Sequence, residues 1–318
     1  MSFTLTRIPL FLLALAAPLL FSGCGVFTDM VRDNEVSVPF LNSPSFMSPA
    51  KLRVGVMPFQ AQQDLGTPET GAAIAKLVSE EFSRNGNLVM VPPERVKAYA
   101  DAAGMSSPIT PGEAVRICRD LNLNLVMDGT FANLGQHQVR SGWRRLFRWF
   151  TNQQIYIEAI LSLTAYDPAD GSVITSRAGE SRIRVGRAPR QSVYGAAGTY
   201  NPTQEDIEES LDEAINFLYL RSLEGLKVFP FKARVISVLG DKATINFGSD
   251  VKLKRKTDFA LLSTSETLVS AINVSYDIPG APLARLRVDS VDKDRATLTI
   301  LDGTVSPGDI VQSWDFRD

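Results

Sequence analysis

An apolar run near the amino terminus constrains this chain more than any other feature. Residues 8–21 are all apolar, and one basic residue, Arg7, precedes them. A permanent membrane-spanning helix needs about 20 apolar residues, so this run is too short to be one. A basic start followed by a short apolar stretch is typical of a secretory signal. We therefore expect the folded protein to begin after this run and to work outside the cytoplasm.

The apolar run ends at Leu19-Leu20-Phe21-Ser22-Gly23-Cys24. This ending resembles the lipobox of bacterial lipoproteins, which implies a signal peptide over residues 1–23 and acylation of the Cys24 thiol. Gly25 stands where an Asp would favour retention in the inner membrane, so the resemblance implies the outer membrane. Several acyl chains would anchor the chain stably, at about 0.8 kcal/mol per buried CH₂. An ordinary secretory signal followed by a chance cysteine is the alternative.

Composition limits what the rest of the chain can be. The chain has 33 basic and 35 acidic residues, a balance that gives no reason to expect nucleic acid as a partner. Besides Cys24 the only cysteine is Cys118, so no disulfide can form within the mature chain. Val115 and Leu121 flank Cys118 at helical spacing, which predicts a small core residue rather than a nucleophile. With His137 as the only histidine, we expect neither a zinc site nor a cofactor.

The residues after the signal divide into three predicted parts. Residues 24–50 carry three prolines and little periodicity, which predicts a flexible linker behind the lipidated cysteine. Residues 51–226 read as β-α-β-α-α-β-β-β-α, an α/β domain. Residues 227–318 contain about six short alternating strands, which predict a small all-β barrel.

Local signals within the α/β part are clear. Ile74, Leu77, Val78 and Phe82 form one apolar helical stripe. Thr110-Pro111-Gly112-Glu113 predicts a capping box, and Thr203 predicts the start of a last helix. Residues 155–165 alternate in the manner of a half-buried strand. Asp167-Pro168-Ala169-Asp170-Gly171 predicts a tight hairpin loop.

Two parts of the chain resemble known protein families. Residues 53–59, Leu125-Val126-Met127-Asp128-Gly129-Thr130-Phe131 and 163–173 resemble the amino-terminal domain of TolB, which implies a TolB-like αβ sandwich over about residues 50–225. That fold is shared with curli export lipoproteins of the CsgG type and with lipoprotein activators of peptidoglycan synthases. Residues 231–248, 286–291 and 305–311 are similar to the carboxy-terminal module of flagellar assembly protein T.

The motifs of common catalytic sites are missing from the sequence. It contains no Gly-x-Ser-x-Gly elbow, no phosphate-binding glycine loop with lysine and no His-Glu-x-x-His. Asp128-Gly129 and Asp170-Gly171 are interpreted as turn or strand-end residues rather than as a catalytic carboxylate pair. We therefore expect a protein that is not an enzyme.

Two basic segments are candidate contact sites. Residues 140–150, if helical, would place aromatic and aliphatic side chains on one face and arginines on the others, which suits anionic lipid or a partner protein. Folding of its aromatic residues under the sheet is the alternative. The predicted contact residues are Trp143, Arg144, Arg145, Leu146, Phe147, Arg148, Trp149 and Phe150. The second segment, residues 252–256 of the barrel, is either a solvated loop or a contact for peptidoglycan or an acidic partner.

The sequence as a whole predicts a non-enzymatic, periplasm-facing lipoprotein of the outer membrane that assembles with an envelope protein complex. The resemblance of the barrel favours the periphery of the flagellar basal body. A curli-type export or pore subunit is one alternative, and an activator of a peptidoglycan synthase is another. The sequence leaves open whether the chain forms a homo-oligomer.

Overall fold

A computed structural model describes residues 48–61, 68–139, 154–187, 203–269 and 275–314. The chain divides into two compact units. One comprises residues 45–137, 156–185 and 201–318. Of the other, residues 1–44, 138–155 and 186–200, only the strand ends at 138–139, 154–155 and 186–187 are described.

The first half of the chain builds a mixed sheet. Its strand order is β3-β1-β4-β5-β6, and the two-residue strand β2 pairs with β4. β1 runs parallel to both β3 and β4, as alternation of strands and helices predicts. The strands are β1 Leu52–Val56, β2 Gln60–Ala61, β3 Leu88–Met90, β4 Leu125–Val139, β5 Gln154–Tyr166 and β6 Val173–Arg187.

In the described part of the chain, four helices cover both faces of this sheet. They are α1 Pro68–Ser83, α2 Pro93–Ala102, α3 Pro111–Leu121 and α4 Gln204–Lys227. α1 and α4 share one apolar core, and α2 and α3 share the other. Leu125 and Met127 lie in the first core and Val126 in the second, because successive strand residues point to opposite faces. The predicted αβ sandwich is confirmed as a mixed α/β fold, whereas its likeness to TolB stays a prediction.

The predicted helix signals are confirmed where they are described. The apolar stripe of α1 faces the core through Ile74, Val78 and Phe82. Thr110 and Thr203 each form a capping box, with Glu113 and Asp206 respectively. Such boxes satisfy amide groups that the first helical turn leaves without intrahelical partners.

The second half of the chain closes into a six-stranded barrel of order β10-β11-β8-β7-β12-β9. Phe231, Phe247 and Phe259 fill its interior, with Phe231 in edge-on contact with the other two at 5.1 and 6.2 Å between ring centroids. A 3₁₀ turn at Ser249–Val251 follows β8. The strands are β7 Lys232–Leu239, β8 Lys242–Ile245, β9 Asp258–Val269, β10 Ser275–Val291, β11 Ala296–Gly303 and β12 Ile310–Ser313.

Two barrel strands are longer than the sequence predicts. The pattern indicates strands over residues 259–263 and 284–291, but β9 extends to Val269 and β10 begins at Ser275. Pro279 and Pro282 argue against a strand, since proline cannot donate to a ladder. In the structure the pairing of β9 with β10 shifts register beside both prolines. Such irregularities let a strand continue past proline.

The barrel is bonded directly to the α/β part. The Lys51 amide donates to the carbonyl of Val251 at 2.7 Å, and the Asn124 amide group donates to the carbonyl of Lys232 at 2.7 Å. Arg53 forms an ion pair with Asp250. One continuous apolar core runs from the α1 and α4 side of the sheet into the barrel. The proposed division into domains at residues 226 and 227 stays a prediction, and these contacts join the two parts closely.

Candidate functional site

The residues that the sequence singles out most strongly lie outside the described part of the chain. This holds for Cys24 and for the contact segment from Trp143 to Phe150. Both remain predictions. Across the described ranges, no helix is long and apolar enough to span a membrane.

Cys118 is confirmed as a core residue. It lies in α3 with 2% of its surface exposed, packed among apolar side chains of α2, α3 and the sheet. Burial raises the pKa of its thiol far above the ordinary value, and the nearby charge of Asp167 adds to that rise. Since the reactive species is the thiolate, this cysteine is inert at neutral pH.

An open groove of about 740 Å³ lies between α1, β6 and α4. Leu77, Ile183 and Ile215 supply its apolar surface. Acidic side chains outnumber basic ones among its lining residues, five to two. The charged residues are Glu80 and Glu81 of α1, Arg84 directly after α1, Arg182 of β6, and Glu209, Asp212 and Glu213 of α4.

The acidic wall of the groove belongs to the first half of α4. That half begins at the capping box of Thr203 and carries acidic residues in its first turn. The partial positive charge at the helix amino terminus stabilises the carboxylates of that first turn. Glu209 and Asp212 lie beyond the first turn and are both exposed beside the groove.

Small residues of β6 let α4 lie close to the sheet. A Cβ atom added at Gly179 would fall 2.1 Å from the carbonyl oxygen of Ala214. The Ser181 hydroxyl lies 2.5 Å from the carbonyl oxygen of Ser210 and 2.7 Å from its hydroxyl. Both serines are buried. This close approach sets the position of the acidic wall.

The opposite wall is held by contacts between α1 and α4. Phe82 meets the Tyr219 ring edge-on, with centroids 5.1 Å apart. The Asn85 side-chain amide donates to the Tyr219 hydroxyl at 3.3 Å. Within the wall, Arg84 forms an ion pair with Glu81 at 2.5 Å. The groove is therefore built on packed helices rather than on loops.

Arg182 is the basic group on the sheet side of the groove. Its guanidinium carbon lies 4.4 Å from the centroid of the Tyr156 ring, a cation–π contact. The Nε atom of Arg182 is buried and has no hydrogen-bond partner among the described residues. A buried donor without an acceptor costs about 1–3 kcal/mol.

The charged side chains in the lining of the groove are mostly acidic. Its described lining contains carboxylates, guanidinium groups, one amide and aliphatic side chains, with no serine, cysteine or histidine among them. Among the described residues, no cluster of histidine, cysteine and carboxylate side chains could hold a metal ion. A ligand with positive side chains and exposed carbonyl groups would complement the lining.

Asp128 differs from its sequence interpretation. It lies inside β4 rather than at a turn or strand end, because β4 continues to Val139. Its carboxylate accepts hydrogen bonds from the Ser107 hydroxyl at 2.5 Å and from the Ile109 amide at 2.9 Å. Burial raises its pKa above the ordinary value, against the opposing effect of these bonds. The role of Asp128 is to fasten the loop before α3 to the sheet.

Sequence reasoning did not find the groove. One signal was available: the acidic residues between Glu205 and Glu213 recur on consecutive turns of a predicted helix. Nothing local in the sequence places that helix beside Leu77 and Arg182, which lie on other elements.

Comparison with known proteins finds weakly similar structures. No family model and no curated protein matches the chain. The C-terminal domain of LpoB from Escherichia coli is 14% identical, with a TM-score of 0.29, and the match covers 42% of this chain and 83% of that one. Lipoprotein GNA1162 from Neisseria meningitidis is 13% identical, with a TM-score of 0.32, and the match covers 52% of this chain and 96% of that one. Hypothetical protein CT253 from Chlamydia trachomatis is 14% identical, with a TM-score of 0.35, and the match covers 56% of this chain and 98% of that one. Similarity at this level leaves the family of the chain open.

Proposed function

We propose that this chain is a lipid-anchored, periplasm-facing protein of the outer membrane that binds a partner protein of the cell envelope and catalyses no reaction. The observation that carries the binding role is the acidic groove between α1, β6 and α4. The anchor is supported by the lipobox-like ending at Cys24. Nucleic acid is no part of the proposal, because the chain carries a formal net charge of −2.

The expected ligand of the groove is a basic, extended segment of the partner. Lysine or arginine side chains would pair with carboxylates such as Glu80, Glu209 and Asp212, all of which are exposed. A main-chain carbonyl of the same segment would accept from the guanidinium group of Arg182, whose half-buried side chain lines the groove. A polypeptide offers both groups at short spacing, which a simple cation does not.

Three finer roles remain proposals, and each has its own assay. An activator of a peptidoglycan synthase would stimulate glycan polymerisation by the purified enzyme. A curli-type pore subunit would make liposomes leak. A component of the flagellar basal-body periphery, which the sequence favours, would leave a deletion strain without filaments or without peripheral density in its basal bodies. The synthase role is tested first, because it needs only purified components.

The groove itself is tested with a charge-neutral variant. Glu80→Gln, Glu209→Gln and Asp212→Asn together remove three carboxylates from the lining while keeping side-chain size. Exposed charge pairs contribute about 0.2–1 kcal/mol each, so we expect affinity for the partner to fall about tenfold. Binding of the immobilised partner, and stimulation of the synthase where that is the partner, provide the two readouts.

The matched control neutralises three exposed acids elsewhere, through Glu94→Gln, Glu224→Gln and Asp241→Asn. This variant should bind as tightly as the unchanged protein. Equal losses in both variants would show that total charge and not the groove matters. Turnover of a substrate that one carboxylate substitution abolishes would overturn the non-enzymatic assignment.

A further inference from the structure

A second charged surface lies on the barrel, away from the residues that line the groove. We call it the basic patch, and its members come from the first described strand region, the loop after the 3₁₀ turn and the turn between β10 and β11. They are Lys51, Lys252, Lys254, Arg255, Lys256 and Lys293. All but Lys51, which is half-buried, are exposed.

Backbone hydrogen bonds fix the shape of the basic patch. The Lys256 amide donates to the carbonyl of Val288 at 2.8 Å, and the Asp250 amide donates to the carbonyl of Lys293 at 3.0 Å. The Arg255 Nε donates to the carbonyl of Asp289 at 2.7 Å. The lysines therefore project from an ordered surface.

Neighbouring carboxylates compensate the charge of the basic patch only in part. Asp250 pairs with Arg53, and Asp289 lies 2.9 Å from the ammonium group of Lys242, which together with the charge of Arg255 lowers the pKa of its carboxyl group. Asp292 and Asp294 flank Lys293 in the sequence. Among the described residues, the lysines of the patch form no ion pair within 4.0 Å. Partial burial lowers the pKa of Lys51, and the neighbouring charge of Lys252 lowers it further. An anion at this surface would relieve that repulsion.

Two lysines of the patch adopt a backbone conformation that favours glycine. Lys252 has φ 59° and Lys256 has φ 65°. The left-handed region costs a residue with a side chain about 1–2 kcal/mol. A lysine in such a conformation is consistent with a role for the side chain itself.

The basic patch lies where the chain from Cys24 enters the fold. The Lys51 amide bonds to the carbonyl of Val251, the residue directly before Lys252. Cys24 precedes Lys51 by 27 residues. Even fully extended, that length of chain keeps the patch within about 90 Å of the acylated residue.

We propose that the basic patch docks on anionic phospholipid headgroups of the leaflet that holds the acyl chains of Cys24. This inference rests on the proposed lipid anchor. The anchor attaches the chain to the membrane, and the patch orients the folded part of the chain against it. Basic side chains near an anionic membrane each contribute about a fivefold gain in partition, an effect that decays within a Debye length. Because the chain as a whole is slightly acidic, such binding must come from a local surface.

The test uses the mature chain from residue 24 with Cys24→Ser, so that no acyl chain contributes. Co-sedimentation is measured with vesicles of phosphatidylcholine alone and with vesicles containing phosphatidylglycerol, at low and high salt. We expect binding to the anionic vesicles only, and loss of that binding at high salt. The patch variant carries Lys252→Asn, Lys254→Gln and Lys256→Asn, since asparagine tolerates the left-handed conformation. Its partition coefficient should fall about 100-fold.

The matched control removes three exposed basic residues of the α/β part, through Lys76→Gln, Arg177→Gln and Arg184→Gln. It should partition as the unchanged chain does. Equal binding to both kinds of vesicle, or equal losses in the two variants, would overturn the proposal. Binding to purified peptidoglycan sacculi in place of anionic vesicles would also overturn it. Mass spectrometry of the full chain tests the acylation of Cys24 separately, so failure of the anchor and failure of the patch are distinguishable.

Discussion

The ammonium group of Lys232 lies 2.5 Å from the carboxylate of Asp167. Asp167 directly follows β5, and Lys232 is the first residue of β7, so this ion pair links the α/β part to the barrel. The two side chains are 16% and 9% exposed. The ammonium group also lies 5.4 Å from the ring centroid of Phe229. A pair this shielded from water behaves differently from a surface ion pair.

Lys232→Met should lower the free energy of unfolding by about 3 kcal/mol, because it leaves the Asp167 carboxylate shielded and without its cation. Urea denaturation followed by tryptophan fluorescence measures this. Adding Asp167→Asn to the same chain should recover part of the loss, since the lone charge is then removed.

Lys242→Met provides the matched control. Its ion pair with Asp289 has side chains 40% and 50% exposed, so the loss should stay below about 1 kcal/mol. Similar losses at positions 232 and 242 would show that burial of the first pair contributes nothing.

Asp128 should make stability fall as pH rises. Its pKa is raised by burial, so the folded state binds a proton more tightly than the unfolded chain. The cost of ionising it is absent below the ordinary value of 3.8 and is fully present above its folded pKa. The Ser107 hydroxyl faces two acceptors, Asp128 and the carbonyl of Pro58 at 2.8 Å, and has one proton for them. A neutral side chain at position 128 that donates to the Ser107 oxygen would leave the hydroxyl proton for the carbonyl of Pro58, so that both contacts become hydrogen bonds.

Asp128→Asn is therefore expected to be at least as stable as the unchanged protein at pH 7, and to lose this part of the pH dependence. Asp128→Ala should cost about 2 kcal/mol, since the Ile109 amide loses its acceptor. Urea denaturation between pH 3 and pH 8 compares the three chains. A loss with asparagine as large as the loss with alanine would mean that the ionised carboxylate is the stabilising form.

The sequence predicts those features that a few neighbouring residues determine. Ile157, Ala159 and Leu161 alternate with other residues and are all buried, because a strand has a period of two. The capping box of Thr110 is likewise complete within one helical turn. The groove could not be predicted in this way, since Leu77, Ile183 and Asp212 meet only through tertiary packing.

Lys256→Gly should raise the free energy of unfolding by about 0.5 kcal/mol. Glycine removes the cost of the left-handed conformation at φ 65°, and its greater freedom in the unfolded chain offsets only part of that gain. Lys254→Gly is the control, because Lys254 is exposed in the same loop and has no positive φ. That change should lower stability by about 0.5–1 kcal/mol. Thermal denaturation distinguishes the two, and a loss in both would show that position 256 bears no strain.

Gly179→Ala adds only one methyl group, yet it should strongly destabilise the fold. It should also weaken partner binding. The added Cβ would meet the carbonyl of Ala214 at 2.1 Å and the Cβ of Leu218 at 2.8 Å, both on α4. Relief requires α4 to move away from β6, at a cost of about 3 kcal/mol. That movement also displaces Glu209 and Asp212 from the groove.

Gly112→Ala is the matched control for this change, because it lies in α3 with open space around its added Cβ. Alanine is the better helix former, so stability should rise by about 0.5–1 kcal/mol. Thermal denaturation and partner binding are measured on both variants. Unchanged stability in Gly179→Ala would mean that α4 and β6 are not in close contact at this point. Close packing of these two elements would then not fix the position of the acidic wall.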